Sequence, residues 1–197
     1  MNKSPDRFSP LNRQISRAEL ADLPGILSIL NQNLLSKKEA LDTTILQQQG
    51  FLIHGFTQEE AQGAIQDKEN FVFVTTKENE DVIGYATGCN IKKLQPVFLE
   101  ELDSVSPVLK ENLFSQKIFY LKHIAKKVGV QKVGPALFQK LLEFVKTAGY
   151  DQIVCQISHQ PFKNNASISF HERLGFSCLG ESRNEDTFFG IYAKKVV

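Results

Sequence analysis

The stretch from Ile118 to Gly149 limits what this chain can become more than any other. An apolar run, Ile118-Phe119-Tyr120-Leu121, reads as a strand and continues through His123, Ile124, Ala125 and Val128 into Gln131-Lys132-Val133-Gly134-Pro135-Ala136. A helix follows. Leu137, Leu141, Phe144 and Ala148 recur at steps of three and four, with Phe138, Leu142 and Val145 beside them, which is the stripe of a helix packed on a sheet. Gly149 stands where a C-terminal cap belongs. A strand, a glycine-containing turn and a helix N-terminus gather unpaired backbone N–H groups around one point, with the positive end of the helix dipole behind them. Such a point holds an anion, and a phosphate best of all. The dinucleotide fingerprint Gly-x-Gly-x-x-Gly is absent here, as is the Gly-Lys-Ser/Thr ending of a P-loop.

Length and charge narrow the partners. The chain has 197 residues, enough for one domain with a full core. With 42% hydrophobic and 23% charged residues it reads as globular, and a formal charge of +1 argues against a general nucleic-acid binder. The pairs Lys37-Lys38, Lys92-Lys93 and Lys126-Lys127 are scattered and read as solvated surface. No apolar run approaches the roughly 18 to 20 residues of a membrane helix. Residues 1–13 are polar, contain Pro5 and Pro10, and are expected to form a flexible tail rather than a signal peptide. Cys89, Cys155 and Cys178 are odd in number and far apart, without the spacing of a disulfide framework or a metal site, which fits a reducing cytoplasm. Cys155, inside Ile153-Val154-Cys155-Gln156-Ile157, reads as a buried core thiol.

Along the chain, residues 14–18 form a first strand, and Asp22-Leu23-Pro24 opens a helix whose apolar face is Ile26, Leu27, Leu30 and Leu34. Residues 43–56 read as a loop with a short strand or turn at Phe51-Leu52-Ile53. Thr57-Gln58-Glu59-Glu60 is a capping box for a helix reaching Lys68. Residues 71–75 and 82–88 pair as an antiparallel hairpin around the polar turn 77–81. Residues 91–116, with Pro96 and Pro107, show no clear period and read as an irregular insertion over a pocket or an idle surface excursion. After the central unit come a strand at 152–157, a loop at 159–163, a helix capped by asparagine at 164–175, and closing strands near 177–181 and 187–193.

Two blocks carry a family resemblance. Gln131-x-x-Gly134-x-Ala136 resembles the pyrophosphate signature Arg/Gln-x-x-Gly-x-Gly/Ala of the GNAT superfamily of N-acetyltransferases. About 30 residues on, Asn164-Asn165-Ala166-Ser167-Ile168-Ser169-Phe170-His171-Glu172-Arg173-Leu174-Gly175-Phe176 resembles the second hallmark of that family. The resemblance implies a mixed α/β (α+β) fold with a mostly antiparallel central sheet of about six to seven strands, flanked by helices and splayed between the fourth and fifth. Residues 14–197 would then be a single acetyltransferase-like domain.

The resemblance also implies a chemistry. Acetyl-CoA would lie in the slot of the splayed sheet, its pantetheine and thioester carbonyl held by backbone N–H groups near Ile124, Ala125 and Lys126, as in an oxyanion hole. The amides of Gln131, Lys132, Val133, Gly134, Pro135 and Ala136 would hold the pyrophosphate, except that Pro135 has no N–H and so weakens or rearranges the grip. Asn164, Ser167 and Phe170 complete the cofactor side, and no metal is expected. The product is an N-acetylated primary amine of a small molecule or protein. Direct transfer needs a neutral amine, a proton acceptor and a donor to the departing thiolate. His171 stands where the family usually carries a tyrosine donor; the alternative is a packed core imidazole. Tyr120 occupies the strand position where some relatives have glutamate, but with a pKa about 10 a tyrosine is a poor base. His123, Glu101, Asp103 or a water chain are the substitutes.

The wording of the second block is closer to small-amine acetyltransferases, such as those that modify phosphinothricin-like amino acids. A homodimer stays open. A second reading, from another class, is a catalytically impaired acyl-CoA-binding sensor or partner protein, favoured by Gln131, Pro135, His171 and the missing obvious base.

Overall fold

A computed structural model describes residues 14–35, 50–77, 81–94, 107–115, 117–184 and 186–197. The expected tail 1–13, residues 43–49 of the first loop, much of the hairpin turn, and residues 95–106 with Glu101 and Asp103 lie outside the described residues.

Seven strands form one sheet: β1 (Gln14–Arg17), β2 (Phe71–Thr76), β3 (Val82–Asn90), β4 (Ile118–Lys126), β5 (Gln152–Gln160), β6 (Ser177–Asn184) and β7 (Thr187–Lys195), in the order β1-β2-β3-β4-β5-β7-β6. Every neighbouring pair is antiparallel except β4 with β5, the fourth and fifth strands. That pair is joined by α4 (Val133–Thr147), since a parallel connection needs a crossover. The mixed, mostly antiparallel sheet expected from the sequence is present, and so is its split. β4 and β5 pair only at Ile118–Gln152, Phe119–Ile153 and Tyr120–Val154, although β4 runs six residues farther, to Lys126, and β5 to Gln160.

Helices cover both faces. On one, Val133, Leu137, Phe138, Leu141 and Val145 of α4 pack on Phe71, Ile83, Ala86, Phe119 and Leu121. Gly149 ends α4 in the left-handed region (φ 66°), with the Tyr150 amide bonding the Val145 carbonyl at 2.9 Å. On the other face, α1 (Leu23–Asn33) and α2 (Gln58–Gln66) bury Leu23, Ile26, Ile29, Ala61 and Ile65 against Val72, Val74 and Tyr85. The Thr57 capping box of α2 is closed, with Thr57 N–H donating to Glu60 Oε2 at 2.7 Å and Glu60 N–H to Thr57 Oγ1 at 3.2 Å.

Two expectations need correction. Within the expected irregular insertion 91–116, the described residues form a short 3-10 turn, Ile91–Leu94, and a helix, α3 (Pro107–Ser115). Leu113 is buried with Ile91, Ile118, Val154 and Ile191, while Val108 is 68% exposed, so the stripe is too narrow to show as a period. The central helix also begins earlier than read, at Val133. Pro135, read as part of the preceding turn, is therefore the third residue of the helix.

The docking of α4 depends on Gly84 of β3. A Cβ there would lie 2.3 Å from Val133 Cγ1 and 3.1 Å from the Ala125 carbonyl, so only a bare backbone lets the start of α4 lie against the sheet. Gly84→Ala is expected to lower unfolding free energy by about 1–3 kcal/mol, the usual cost of overpacking, read as a lower urea midpoint at unchanged m. An unchanged midpoint would contradict the close packing.

Candidate active site

The split between β4 and β5 opens into a cleft of about 750 Å³. Beyond Tyr120, the edge of β4 that faces β5 has no strand partner, so backbone groups of residues 121–126 are turned toward the cleft. A bulge shapes this edge. Thr87 pairs with His123 and Gly88 with Leu121, which leaves Lys122 as an extra residue on β4. The extra residue brings His123 back to the face of Tyr120, away from the α4 side that Leu121 packs against. The Lys126 carbonyl at the far end accepts from Asn33 Nδ2 of α1 at 3.0 Å, a contact that the sequence did not announce.

The turn into α4 bares backbone donors toward one point. Lys132 caps the helix at φ 61°, the one positive φ of a non-glycine among the described residues. Because the helix starts at Val133, its four leading positions without an intrahelical acceptor are Lys132, Val133, Gly134 and Pro135, and the Ala136 amide is the first to bond back into the helix. Proline thus sits where its missing N–H costs the helix nothing, and three bared donors remain at the helix start. Gly134 lies against α5 (Asn165–Arg173): a Cβ on it would meet the Phe170 ring at 3.2 Å. Asn164 caps α5 through Oδ1, which accepts from the Ser167 amide at 3.1 Å, and its Nδ2 donates to the Phe51 carbonyl at 2.8 Å.

Of the residues singled out from sequence, Tyr120, His123, Ile124, Ala125, Lys126, Lys132, Gly134, Pro135, Asn164, Ser167, Phe170 and His171 line the cleft together. Gln131 and Ala136 flank the turn outside the lining, and the Val133 side chain is fully buried in the core. The loop read at residues 43–56, which the family resemblance would put near the acceptor, lines the cleft over its described part, residues 50–56, as a strap whose contacts the sequence did not announce. Leu52 bonds Asn33 and Leu35 at the end of α1, Phe51 takes the Asn164 bond, His54 meets Phe189 of β7 at 5.7 Å, and Phe56 stacks on His123 at 5.3 Å and meets Tyr85 edge-on at 6.1 Å. Only its run Phe51-Leu52-Ile53 carried a local signal.

The proton-handling groups are engaged with the protein. The buried Tyr85 hydroxyl and His123 Nδ1 lie 3.2 Å apart; burial raises the pKa of the tyrosine and lowers that of the histidine to about 4, helped by the charge of Lys122. The imidazole is therefore neutral near pH 7 and accepts from the phenol. Tyr120 donates to Gln156 Oε1 at 2.7 Å across the cleft floor, and Gln156 Nε2 donates to Ser182 Oγ at 2.8 Å. His171 is 4% exposed; Nδ1 donates to the Ser167 carbonyl at 2.8 Å, and Nε2 is covered, with no partner among the described residues. Burial lowers its pKa as well, so the neutral Nδ1–H tautomer is the resident form. The Cys155 thiol, buried at 3% exposure, packs in the core at the cleft wall, and burial raises its pKa and so disfavours the thiolate.

A family model described as the Acetyltransferase (GNAT) family matches residues 39–176. The chain belongs to the GNAT acetyltransferase family. Solved structures share the GNAT fold at low identity. An N-acetyltransferase from Staphylococcus aureus Mu50 aligns with TM-score 0.61 and 21% identity over 94% of this chain and 99% of its own. The ribosomal-protein-S18-alanine N-acetyltransferase from Escherichia coli gives 0.58 and 17% over 93% and 94%. The PaiA N-acetyltransferase from Thermoplasma acidophilum, in complex with coenzyme A, gives 0.61 and 13% over 94% and 99%. No curated protein sequence matches significantly. No described helix is long and apolar enough to cross a membrane, and no three described His, Cys, Asp or Glu residues cluster as metal ligands.

The depressed pKa of His123 has a stability consequence. The folded state binds fewer protons than the unfolded one between about pH 4 and 6.5, so this contribution is complete above pH 6.5 and is lost as pH falls toward 4. Its size is of order 1–3 kcal/mol. His171 acts in the same direction. His123→Gln, which keeps an acceptor for Tyr85, is expected to shrink the drop in Tm between pH 7 and pH 5; an equal drop in both proteins would refute the assignment.

Proposed function

We propose that this GNAT family member transfers the acetyl group of acetyl-CoA directly to a primary amine of a small molecule or protein. The observation that carries the reading is the early end of the β4–β5 ladder, which leaves unpartnered strand backbone beside the amides at the start of α4. Those two features fit the two halves of the nucleotide: N–H groups of Lys132, Val133 and Gly134, with the helix dipole, suit the pyrophosphate, and the free edge at Ile124, Ala125 and Lys126 suits the amide-rich pantetheine and the thioester oxygen. Lys126 and Lys132 add positive charge along the same wall. Asn164, Ser167 and Phe170 close the slot from α5.

The engaged proton groups support a second reading, an acyl-CoA-binding sensor without turnover. Calorimetry with coenzyme A and acetyl-CoA, followed by thiol release over an amine panel, separates the two: an enzyme binds and releases thiol, a sensor only binds, and no binding refutes both. Gly134→Leu must push a side chain toward Phe170 and the slot, so coenzyme A affinity is expected to fall at least about tenfold, equivalent to about 1.4 kcal/mol. Full affinity in that variant would contradict the pyrophosphate assignment.

For His171 to return a proton to the departing thiolate, Nε2 must be uncovered and charged, and burial opposes both. Its role in this reading is to hold the start of α5 through Ser167. General acid catalysis is worth about 100- to 10,000-fold, so the size of the effect decides. His171→Phe is expected to lower kcat less than about tenfold with coenzyme A affinity retained; a loss of about 100-fold or more would make the imidazole the acid.

A further inference from the structure

Three histidines line the cleft among the described residues, and their rings are used differently. His123 has the Tyr85 hydroxyl at Nδ1 and lies stacked on Phe56. His171 is buried and donates to the Ser167 carbonyl. His54 is exposed, and its ring meets Phe189 at 5.7 Å and 36°, a contact that occupies neither nitrogen. Among the described residues no hydrogen bond reaches the His54 ring.

The place of His54 is set from both sides of the fork. Its backbone lies against the ring of His123, within the stretch of β4 that has no strand partner, and its own ring lies against Phe189 of β7, which pairs with Ser158 of β5. The strap is pinned two residues to either side, at Leu52 by backbone bonds to Asn33 and Leu35 and at Phe56 by the stack on His123. The imidazole therefore stands past Tyr120–Val154, the last bonded pair of the fork, and beside the free edge to which the acetyltransferase reading assigns the thioester.

Making an amide requires a proton to leave the nitrogen. An amine attacks with its lone pair, and once the C–N bond forms, that nitrogen holds a proton the amide cannot keep. Histidine is the side chain whose ordinary titration falls between about pH 5 and 8, so a neutral imidazole beside the reacting nitrogen suits this task near pH 7. The titratable groups around the same cleft include Glu60 on α2, Tyr85 on β3, Lys122 and His123 on β4, Cys155 on β5 and His171 on α5. Burial moves Tyr85, His123, Cys155 and His171 toward their neutral forms, while Glu60 and Lys122 bring charges of opposite sign.

We propose that the His54 imidazole, held by the strap between His123 and Phe189, takes the proton from the acceptor nitrogen during transfer. The nitrogen lone pair bonds the acetyl carbonyl carbon, and the C–S bond breaks with its electron pair on sulfur. The excess proton on nitrogen passes to a His54 ring nitrogen. The imidazolium returns it through water to the sulfur, so the sum is amine plus acetyl-CoA giving amide plus coenzyme A. This rests on the acetyltransferase reading above and adds to it a catalytic residue that lies on the strap and not on the central strands.

Methoxyamine is the first acceptor to use, because it is uncharged near neutral pH and adds no titration of its own; benzylamine and spermidine complete the panel. With the full chain and acetyl-CoA at pH 7, His54→Gln is expected to lower kcat/KM for the acceptor about 100-fold or more, with Tm and coenzyme A affinity retained. The wild-type rate with methoxyamine falls as pH drops through the window from about 8 to 5, and His54→Gln lacks that fall. In His54→Ala, imidazole added to the buffer restores rate in proportion to its neutral form, which a packing role would not allow. A readout without turnover is the His54 ring signal in the NMR spectrum, assigned by its absence from His54→Gln, which moves when acetyl-CoA is added to the full chain. A loss under about tenfold in His54→Gln, no restoration by imidazole, or a His54 signal that acetyl-CoA leaves in place overturns the inference. So does coenzyme A binding with no turnover of any of the three acceptors. Absence of coenzyme A binding in the same preparation is the separate failure of the acetyltransferase reading, and it takes this inference with it.

Discussion

The whole site hangs on a parallel ladder that stops after three residue pairs. As long as β4 and β5 are bonded, from Ile118 to Tyr120, the sheet is a closed surface whose backbone is satisfied internally. Past Tyr120 the strands diverge, and polar backbone is left facing a cleft. Water satisfies such an edge without structural cost, and so does an extended ligand that alternates amide donors and acceptors. The Tyr120–Gln156–Ser182 chain marks where the separation begins, because side chains now span a distance that backbone bonds spanned one step earlier. The bulge at Lys122 then decides which side chains look inward.

Around that gap burial pushes several ionisable groups toward their neutral forms. Tyr85, His123, Cys155 and His171 all have pKa values moved by burial toward the neutral form. Desolvation is one cause acting on four groups, so they share one reason for silence near pH 7. Lys122, Lys126 and Lys132 bring positive charge to the lining along β4 and the start of α4.

Much of this was legible in the sequence, for physical reasons. The central helix showed because its stripe is wide and regular, from Val133 to Val145, and the caps at Thr57, Asn164 and Gly149 showed because few residue types fill those positions. The split sheet came from the family resemblance, since no local pattern encodes where two strands part. Helix α3 was hidden because the buried Leu113 stands on the same short helix as a Val108 left in solvent, without a repeating stripe to announce it. The strap was hidden for a different reason. Its contacts join residues far apart in the chain, such as Phe51 with Asn164 and His54 with Phe189, and no periodicity reports a partner more than a hundred positions away. Likewise, Tyr120 and His123 were placed on one strand, but their common face depends on a bulge that only the pairing partner reveals.

The strap has one more implication. It is fastened to α1 and α5 by hydrogen bonds and to β3, β4 and β7 by ring contacts, so it bridges the very halves that the fork in the sheet sets apart. Any guest that widens the fork must stretch these fastenings together, whichever end it enters from. Residues 50–56 thus tie the two halves of the sheet together across the fork.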